Sequence, residues 1–231
     1  MTLCYQMDEK FEMIRMAVRE FAESQIKPVA GELDEKEEFS VSLTQEMGDI
    51  GLFGMVVPEE YGGQGLDYIS YIIAMEEIAR VDGSQAATLA AGNSLGISPI
   101  YDFGSEVQRR KYLPDLCRGR TLMGFGLTEP NAGSDAGATN TTAIKDRDSW
   151  VINGRKTLTT NANTPMTKGS IVQAVTCVRP NGRPDYTCII VEKGTPGFTL
   201  NTLKRKLMWR GSNTAELYIN DCSVSSDAII V

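Results

Sequence analysis

Histidine is missing from all 231 residues of the chain. Its absence excludes Ser-His-Asp triads, histidine general bases and histidine-ligated zinc within this sequence. Any chemistry must therefore come from carboxylates, hydroxyls, thiols, the backbone or a bound cofactor. An excess of positive charge is missing as well, because the net charge is -7. Since nucleic-acid binding requires a positively charged surface, we predict no nucleic-acid partner. We also predict no metal site.

Long apolar runs are absent, because no stretch approaches the roughly 20 residues of a transmembrane helix. We therefore predict no membrane span. The first ten residues also lack the charged and then apolar pattern of a signal peptide. No Cys-x-x-Cys pair occurs, so we interpret the cysteines as reduced hydrophobic residues and expect a cytoplasmic protein. The five cysteines are Cys4, Cys117, Cys177, Cys188 and Cys222.

The first half of the chain has the apolar spacing of helices. Apolar residues recur with a helical period over residues 8–26, and Pro28 follows them. Asp67 is placed to cap a further helix. The acidic residues 32–38 are interpreted as a solvated loop. Residues 84–103 are rich in alanine and glycine, which allows close approach by a neighbouring helix or by a ligand chain.

The second half has the pattern of short strands separated by turns. Asn153-Gly154 lies between two of them and predicts a hairpin. Such spacing is typical of a β-sandwich or closed barrel. We therefore predict an α+β protein of two domains, with a helical domain over residues 1–119 and an all-β barrel or sandwich domain over residues 120–231. The predicted strands are 121–127, 139–144, 150–152, 156–159, 171–178, 186–191, 198–203 and 216–219.

A turn at residues 127–135 follows the first strand-like run of the second half and precedes a region rich in Gly, Ala, Thr and Asn. Its sequence is Leu-Thr-Glu-Pro-Asn-Ala-Gly-Ser-Asp. Pro130 fixes one φ angle, and Gly133 permits backbone shapes that other residues resist. A turn of this kind can aim several N–H groups at a phosphate or a carbonyl oxygen. The spacing alone is equally typical of an ordinary turn.

Five sequence blocks in the same order resemble the acyl-CoA dehydrogenase family, and together they cover nearly the whole chain. The flavin-binding signature of that family resembles Thr-Glu-Pro-x-x-Gly-Ser-Asp at residues 128–135. The other blocks are Pro-Glu-Glu-Tyr-Gly-Gly-x-Gly at 58–65, Gly-Asn-Ser-Leu-Gly at 92–96, Asn-Gly-x-Lys at 153–156 with Thr-Asn at 160–161, and Arg-Gly-Ser-Asn-Thr-Ala-Glu-Leu at 210–217. The chain is therefore identified as a member of this family.

The resemblance implies an FAD-dependent α,β-dehydrogenation of an acyl-CoA thioester, with electrons passed to an electron-transfer flavoprotein. It also implies a homo-oligomeric full-length enzyme. The implied flavin-contacting residues are Phe125, Leu127, Thr128, Gly133, Ser134, Leu158, Thr159 and Thr160. The implied substrate-contacting residues are Ser134, Ala87, Thr88, Ala91 and Leu95.

The chain departs from the family pattern at three places. Leu158 stands where the family commonly has tryptophan, and Met208 where it often has glycine. The family also continues into a C-terminal helical bundle that supplies the catalytic glutamate. The resemblance therefore implies a base beyond Val231 and an inactive 231-residue chain, and Glu129 belongs to the turn.

Two alternatives remain open from the sequence. One is a short protein that binds flavin, acyl-CoA or a partner without catalysis. The other is an acyl-CoA oxidase or an enoyl-CoA reductase of the same fold. The length of the acyl chain is not indicated.

Overall fold

The computed structural model describes residues 8–230, and the first half of this range is helical. Cys4 and the two outer domain limits, residues 1 and 231, lie outside the described residues. The α-helices are α1 (Glu9–Phe21), α2 (Lys27–Lys36), α3 (Val41–Asp49), α4 (Tyr68–Val81), α5 (Gly83–Ala91), α6 (Ser98–Phe103) and α7 (Glu106–Cys117). Short π-helical segments at Ala22–Ile26 and Gly92–Ile97 join α1 to α2 and α5 to α6.

Local sequence signals explain where several helices begin. The Asp67 carboxylate accepts a hydrogen bond from the N–H of Ser70, which confirms the predicted cap of α4. Ser105 forms a capping box with Gln108 at the start of α7. Pro28 lies in the first turn of α2, where its missing N–H costs nothing, so it does not end the helical region as its position suggested.

The second half of the described range forms one sheet of seven strands, and the predicted fold class is confirmed. The strands are β1 (Leu122–Gly126), β2 (Thr142–Asp146), β3 (Ser149–Thr160), β4 (Thr167–Val178), β5 (Pro184–Glu192), β6 (Phe198–Thr202) and β7 (Thr214–Ser225). The sheet order is β1-β4-β2-β3-β7-β6, with β5 paired to β4. β1 and β2 run parallel to β4, and the other pairings are antiparallel.

The predicted hairpin at Asn153-Gly154 is wrong, because both residues lie inside the continuous strand β3. Gly154 sits at a shift in the β3–β7 register, and a Cβ atom there would collide with the side chain of Thr141. The Asn153 side chain bonds to the N–H of Asp221 on β7. Close packing and a bulge, rather than a turn, therefore account for this dipeptide.

The helices and the sheet share a hydrophobic core. One cluster of buried side chains joins the helices to residues on or beside β1, β4 and β5, including Met123, Ile171 and Ile190. A second cluster lies within the β half. Gly96 in the second π segment lies against β1, since a Cβ atom there would be 2.7 Å from the Met123 carbonyl oxygen. This contact brings the small-residue helix segment onto the strand that precedes the turn.

The acidic residues 32–38 are not a solvated loop, because they form the end of α2 and bind the β half. Arg210 Nε donates to the carbonyl oxygen of Asp34 at 2.9 Å, and its Nη2 lies 3.2 Å from Glu37 Oε1. The N–H of Arg205 donates to the Glu37 carboxylate at 2.8 Å. The loop between β6 and β7 therefore caps the C-terminal end of this helix.

Candidate functional site

The turn that follows β1 is fixed by a buried ion pair. Lys156 on β3 is completely buried, and its Nζ donates to the Leu127 carbonyl oxygen at 3.1 Å and to Glu129 Oε1 at 2.8 Å. The next carbonyl oxygen, that of Thr128, accepts from the N–H of Thr157 at 2.8 Å. Two successive carbonyl groups of the turn are therefore held toward β3.

The second half of the same loop is tied to the Glu129 carboxylate. Oε2 accepts from the N–H of Asn140 at 2.7 Å, and Oε1 accepts from the N–H and the hydroxyl of Thr141 at 2.9 and 2.6 Å. Burial by itself raises the pKa of Glu129, but the hydrogen bonds from Lys156, Thr141 and the backbone outweigh burial and lower it. Burial lowers the pKa of Lys156, and Glu129 restores only part of that change.

A bulge in β3 places Leu158 beside this turn. Leu158 has a positive φ of 56° and lies where the β3–β7 register shifts, so its side chain is 62% exposed. Thr159 is buried, and its methyl group is close to Gly124 of β1. Thr160 is partly exposed and pairs with Thr214 on β7. Leu158 and Thr160 can therefore reach a ligand with their side chains, whereas Thr159 points into the packed interior.

Gly133 and Ser134 are exposed on the loop that continues from the turn. Gly133 does not have a positive φ, so the expected special backbone shape is not adopted. A Cβ atom on Gly133 would meet nothing within 4 Å. Open space at this glycine provides room for a ligand to approach the backbone closely.

Beside the contact of Gly96 with β1, an apolar groove is lined by residues of the second π segment and α6 on one side and of β1, β4 and β5 on the other. Its volume is about 520 Å³. The groove brings together two of the predicted site residues, Leu95 and Phe125. Its other lining residues, which sequence reasoning missed, are Pro99, Phe103, Gln173, Tyr186, Cys188 and Ile230.

The remaining predicted substrate residues are placed differently. Thr88 and Ala91 are buried, Ala87 is partly buried, and none of the three lines the groove. The Thr88 carbonyl oxygen accepts from the side-chain amide of Asn161 at 2.9 Å, so α5 packs against the end of β3 here. Contact between helix and sheet explains these small residues. Among residues 8–230, the buried hydroxyl groups of Thr88 and Thr159 have no hydrogen-bond partner.

Lys156 is the main residue whose role the sequence left unassigned. A signal was present in the alternation along β3, which places Lys156 on the same inward face as Ile152 and leaves Arg155 outside. A lysine on an inward face must reach a partner. The partner, Glu129, is 27 residues away in the chain, and only the fold shows that they meet.

Two further searches cover the described part of the chain. No group of three or more Cys, Asp or Glu side chains there is arranged to hold a metal ion. Within residues 8–230, none of the helices has both the length and the apolar character needed to cross a membrane.

The fold and the turn define a two-part protein of the acyl-CoA dehydrogenase type. The family model described as "Acyl-CoA dehydrogenase, N-terminal domain" matches residues 8–120, and "Acyl-CoA dehydrogenase, middle domain" matches residues 124–222. The chain therefore belongs to the acyl-CoA dehydrogenase family, as the five sequence blocks indicated.

Two bacterial relatives illustrate the similarity. The chain is 44% identical to the probable acyl-CoA dehydrogenase YngJ of Bacillus subtilis, over 95% of this chain and 57% of that protein. It is 40% identical to the short-chain specific acyl-CoA dehydrogenase of Clostridium acetobutylicum, over 98% of this chain and 59% of that protein. The chain thus spans less than two thirds of the length of these relatives.

Solved structures agree with the sequence relatives. Butyryl-CoA dehydrogenase from Megasphaera elsdenii superposes with a TM-score of 0.90 at 35% identity, covering 99% of this chain and 60% of that one. Glutaryl-CoA dehydrogenase from Mycobacterium smegmatis, in complex with FADH2, superposes with a TM-score of 0.91 at 32% identity, covering 97% and 56%. FAD, the predicted cofactor, is thus the cofactor of this neighbouring structure in its reduced form.

Proposed function

We propose that the chain forms the flavin-facing and acyl-CoA-facing parts of an FAD-dependent acyl-CoA dehydrogenase. The observation that carries the proposal is the turn at residues 127–135. Lys156 holds this turn through a hydrogen bond to the Leu127 carbonyl oxygen, and Leu158 lies beside it at the bulge in β3. Bound FAD would supply the hydride acceptor for removal of the substrate's β-hydrogen. We place the helical domain at residues 1–119 and the β domain at residues 120–231.

The described residues fit a flavin at this place. Leu127 and Thr128 supply a turn of fixed geometry, and Thr160 supplies a partly exposed hydroxyl on the adjacent strand. Leu158 offers apolar surface for a ring, although it covers less area than the family's tryptophan would. Gly133 leaves open space along the loop, and Ser134 offers a hydroxyl for phosphate or the CoA arm.

The apolar groove suits the acyl part of the substrate. Leu95, Phe103 and Phe125 provide an apolar lining from which a bound acyl chain would displace water, and the groove begins at the strand that leads into the turn. Excluding water strengthens the polar contacts at a reacting centre. We propose that electrons then pass to an electron-transfer flavoprotein and that the full-length enzyme is a cytoplasmic homo-oligomer.

Glu129 is not the catalytic base in this proposal. Its carboxylate oxygens already accept hydrogen bonds from Lys156, Asn140 and Thr141, and these bonds lower the pKa of Glu129. A base must reach the substrate α-proton within hydrogen-bond distance. We therefore propose that the base lies in a region of the full-length enzyme outside these 231 residues.

Anaerobic titration tests this proposal in two steps. The 231-residue chain should quench FAD fluorescence on binding, but weakly. A panel of acyl-CoA thioesters should then fail to bleach the bound flavin. Absence of FAD binding would contradict the flavin assignment. Bleaching would show that a base lies inside the chain, and Glu129 would be the first acid to reconsider.

A matched pair of serine variants tests the CoA contact. Ser134→Ala should weaken FAD or acyl-CoA binding about tenfold, which corresponds to the loss of one good hydrogen bond. Ser223 is exposed near the end of β7, whereas Thr160 of the candidate site pairs with Thr214 at the start of that strand. Ser223→Ala should therefore leave both affinities unchanged. Equal affinities for wild type and Ser134→Ala would remove Ser134 from the site. Repeating the anaerobic titration on the full-length protein separates the two candidate functions. The flavin of a dehydrogenase should then be bleached by acyl-CoA, whereas that of a non-catalytic flavin-binding protein should not.

A further inference from the structure

The pair formed by Lys156 and Glu129, named here the anchor pair, lies directly under the turn. The stem of Lys156 passes so close to β1 that a Cβ atom on Gly126 would lie 3.1 Å from its Cγ. Its ammonium group has two protein acceptors, one on the backbone and one on Glu129. The lysine is therefore confined by packing as well as by hydrogen bonds.

The anchor pair also fixes where peptide groups of the turn point. A trans peptide is planar, with its C=O and its N–H directed to opposite sides. The Leu127 carbonyl is directed at Lys156, so the N–H of Thr128 points away from Lys156. The following carbonyl is held by the N–H of Thr157, which leaves the turn little freedom to rotate.

Stability alone is a weak explanation for this arrangement. A buried ion pair contributes little to net stability, because desolvation of both charges offsets their attraction, and an apolar pair of similar size often serves as well. An apolar pair, however, would hold neither the Leu127 carbonyl nor the N–H groups of Asn140 and Thr141. The anchor pair therefore contributes something that an apolar pair cannot, namely hydrogen bonds that fix the loop at Leu127, Asn140 and Thr141.

We propose that Lys156 and Glu129 are positioning residues that aim the N–H of Thr128 and the adjoining turn at the bound flavin. They act through the backbone of Leu127 and Thr128 and do not touch the reacting atoms. This inference rests on the proposed function of the turn as the flavin contact.

Three variants of the 231-residue chain test the inference. Lys156→Met keeps an unbranched side chain that is one heavy atom shorter and removes the ammonium group. Thr141→Val removes one hydroxyl bond to Glu129 but keeps the backbone N–H bond, so it serves if the first variant fails to fold. Ile219→Ala creates a cavity in the separate core of the β half and serves as a control for lost stability.

Amide hydrogen exchange gives a readout that needs no flavin. In Lys156→Met, and to a smaller degree in Thr141→Val, amides of residues 127–141 should exchange at least about tenfold faster, because the hydrogen bonds that close the loop are lost. In Ile219→Ala, exchange should rise across the sheet without a selective increase in this loop. Unchanged exchange of residues 127–141 in both loop variants would overturn the inference.

FAD titration links the loop to the ligand. Lys156→Met should raise the dissociation constant for FAD about tenfold or more and alter the visible absorption spectrum of the bound flavin, whereas Ile219→Ala should change neither. If wild type binds FAD and the loop variants bind it equally with the same spectrum, the positioning role is wrong while the proposed function stands. If wild type does not bind FAD, both the proposed function and the role toward flavin are wrong.

Discussion

Arg210 provides a sharp test of how the two halves are joined. Its guanidinium group donates to the carbonyl oxygens of Asp34 and Glu35 at 2.9 and 3.3 Å and pairs with Glu37 at 3.2 Å. The side chain is about one third exposed at 32%, so water replaces part of what is lost in Arg210→Ala. Allowing for that exposure, the variant should lose about 2 kcal/mol of unfolding free energy.

Two measurements follow the consequences. For a chain of this size, about 2 kcal/mol lowers the midpoint of thermal unfolding by roughly 4–8 °C. Trp209 packs near Gly83 of the helical half. In a Trp150→Phe background its fluorescence should therefore shift to the red when the loop is released.

Arg210→Lys is the matched control for charge. It keeps the positive charge but loses the planar group that reaches several acceptors at once, so its midpoint should lie between those of wild type and Arg210→Ala. If Arg210→Ala unfolds at the wild-type temperature with unchanged Trp209 emission, the contact between α2 and the β6–β7 loop does not stabilise the protein, and our reasoning about this interface is wrong.

Three further predictions concern the turn, the sheet and the helices. Leu158→Trp should slow the release of FAD on dilution by adding aromatic contact, and unchanged or faster release would show that residue 158 does not face the ring. Gly154→Ala should lower the free energy of unfolding by about 1–3 kcal/mol because its Cβ collides with Thr141, and a wild-type urea midpoint would show that Thr141 can move aside. The hydrogen bond from Arg19 lowers the pKa of Glu77 in the folded protein below its ordinary 4.5. The ionised Glu77 therefore stabilises the folded state fully above pH 4.5, and this contribution is lost as the pH falls through the pKa of the folded state. Glu77→Gln should therefore lose less stability than wild type on acidification, and parallel curves in acid denaturation would contradict this.

The order of helices and strands could be predicted from the sequence because it depends on local periodicity. The cap at Asp67 was predicted correctly, since it involves only the residue and its own helix. Asn153-Gly154 was misread because its meaning depends on Thr141, which directly precedes the neighbouring strand β2. The acidic end of α2 was misread for the same reason, as its partner Arg210 is more than 170 residues away.

The candidate site shows the same division between local and distant information. The turn itself was found from its proline, glycine and serine. The support beneath it was not, because the pairing of Lys156 with Glu129 exists only after β3 has paired with its neighbours. The groove was found only in part, since Cys188 and Gln173 give no pattern in the chain that distinguishes them from ordinary strand residues.

The core shared by the helices and the sheet has a consequence for synthesis on the ribosome. The helices leave the ribosome first, but their buried cluster includes Ile171, Ile190 and Ile230, which emerge much later. The longest ladder of the sheet also waits for the last strand, because Ser149 pairs with Ser225. Contacts between distant segments slow folding. The nascent helical half therefore exposes apolar surface until the β strands are complete, which makes this interval the one in which chaperones are most needed.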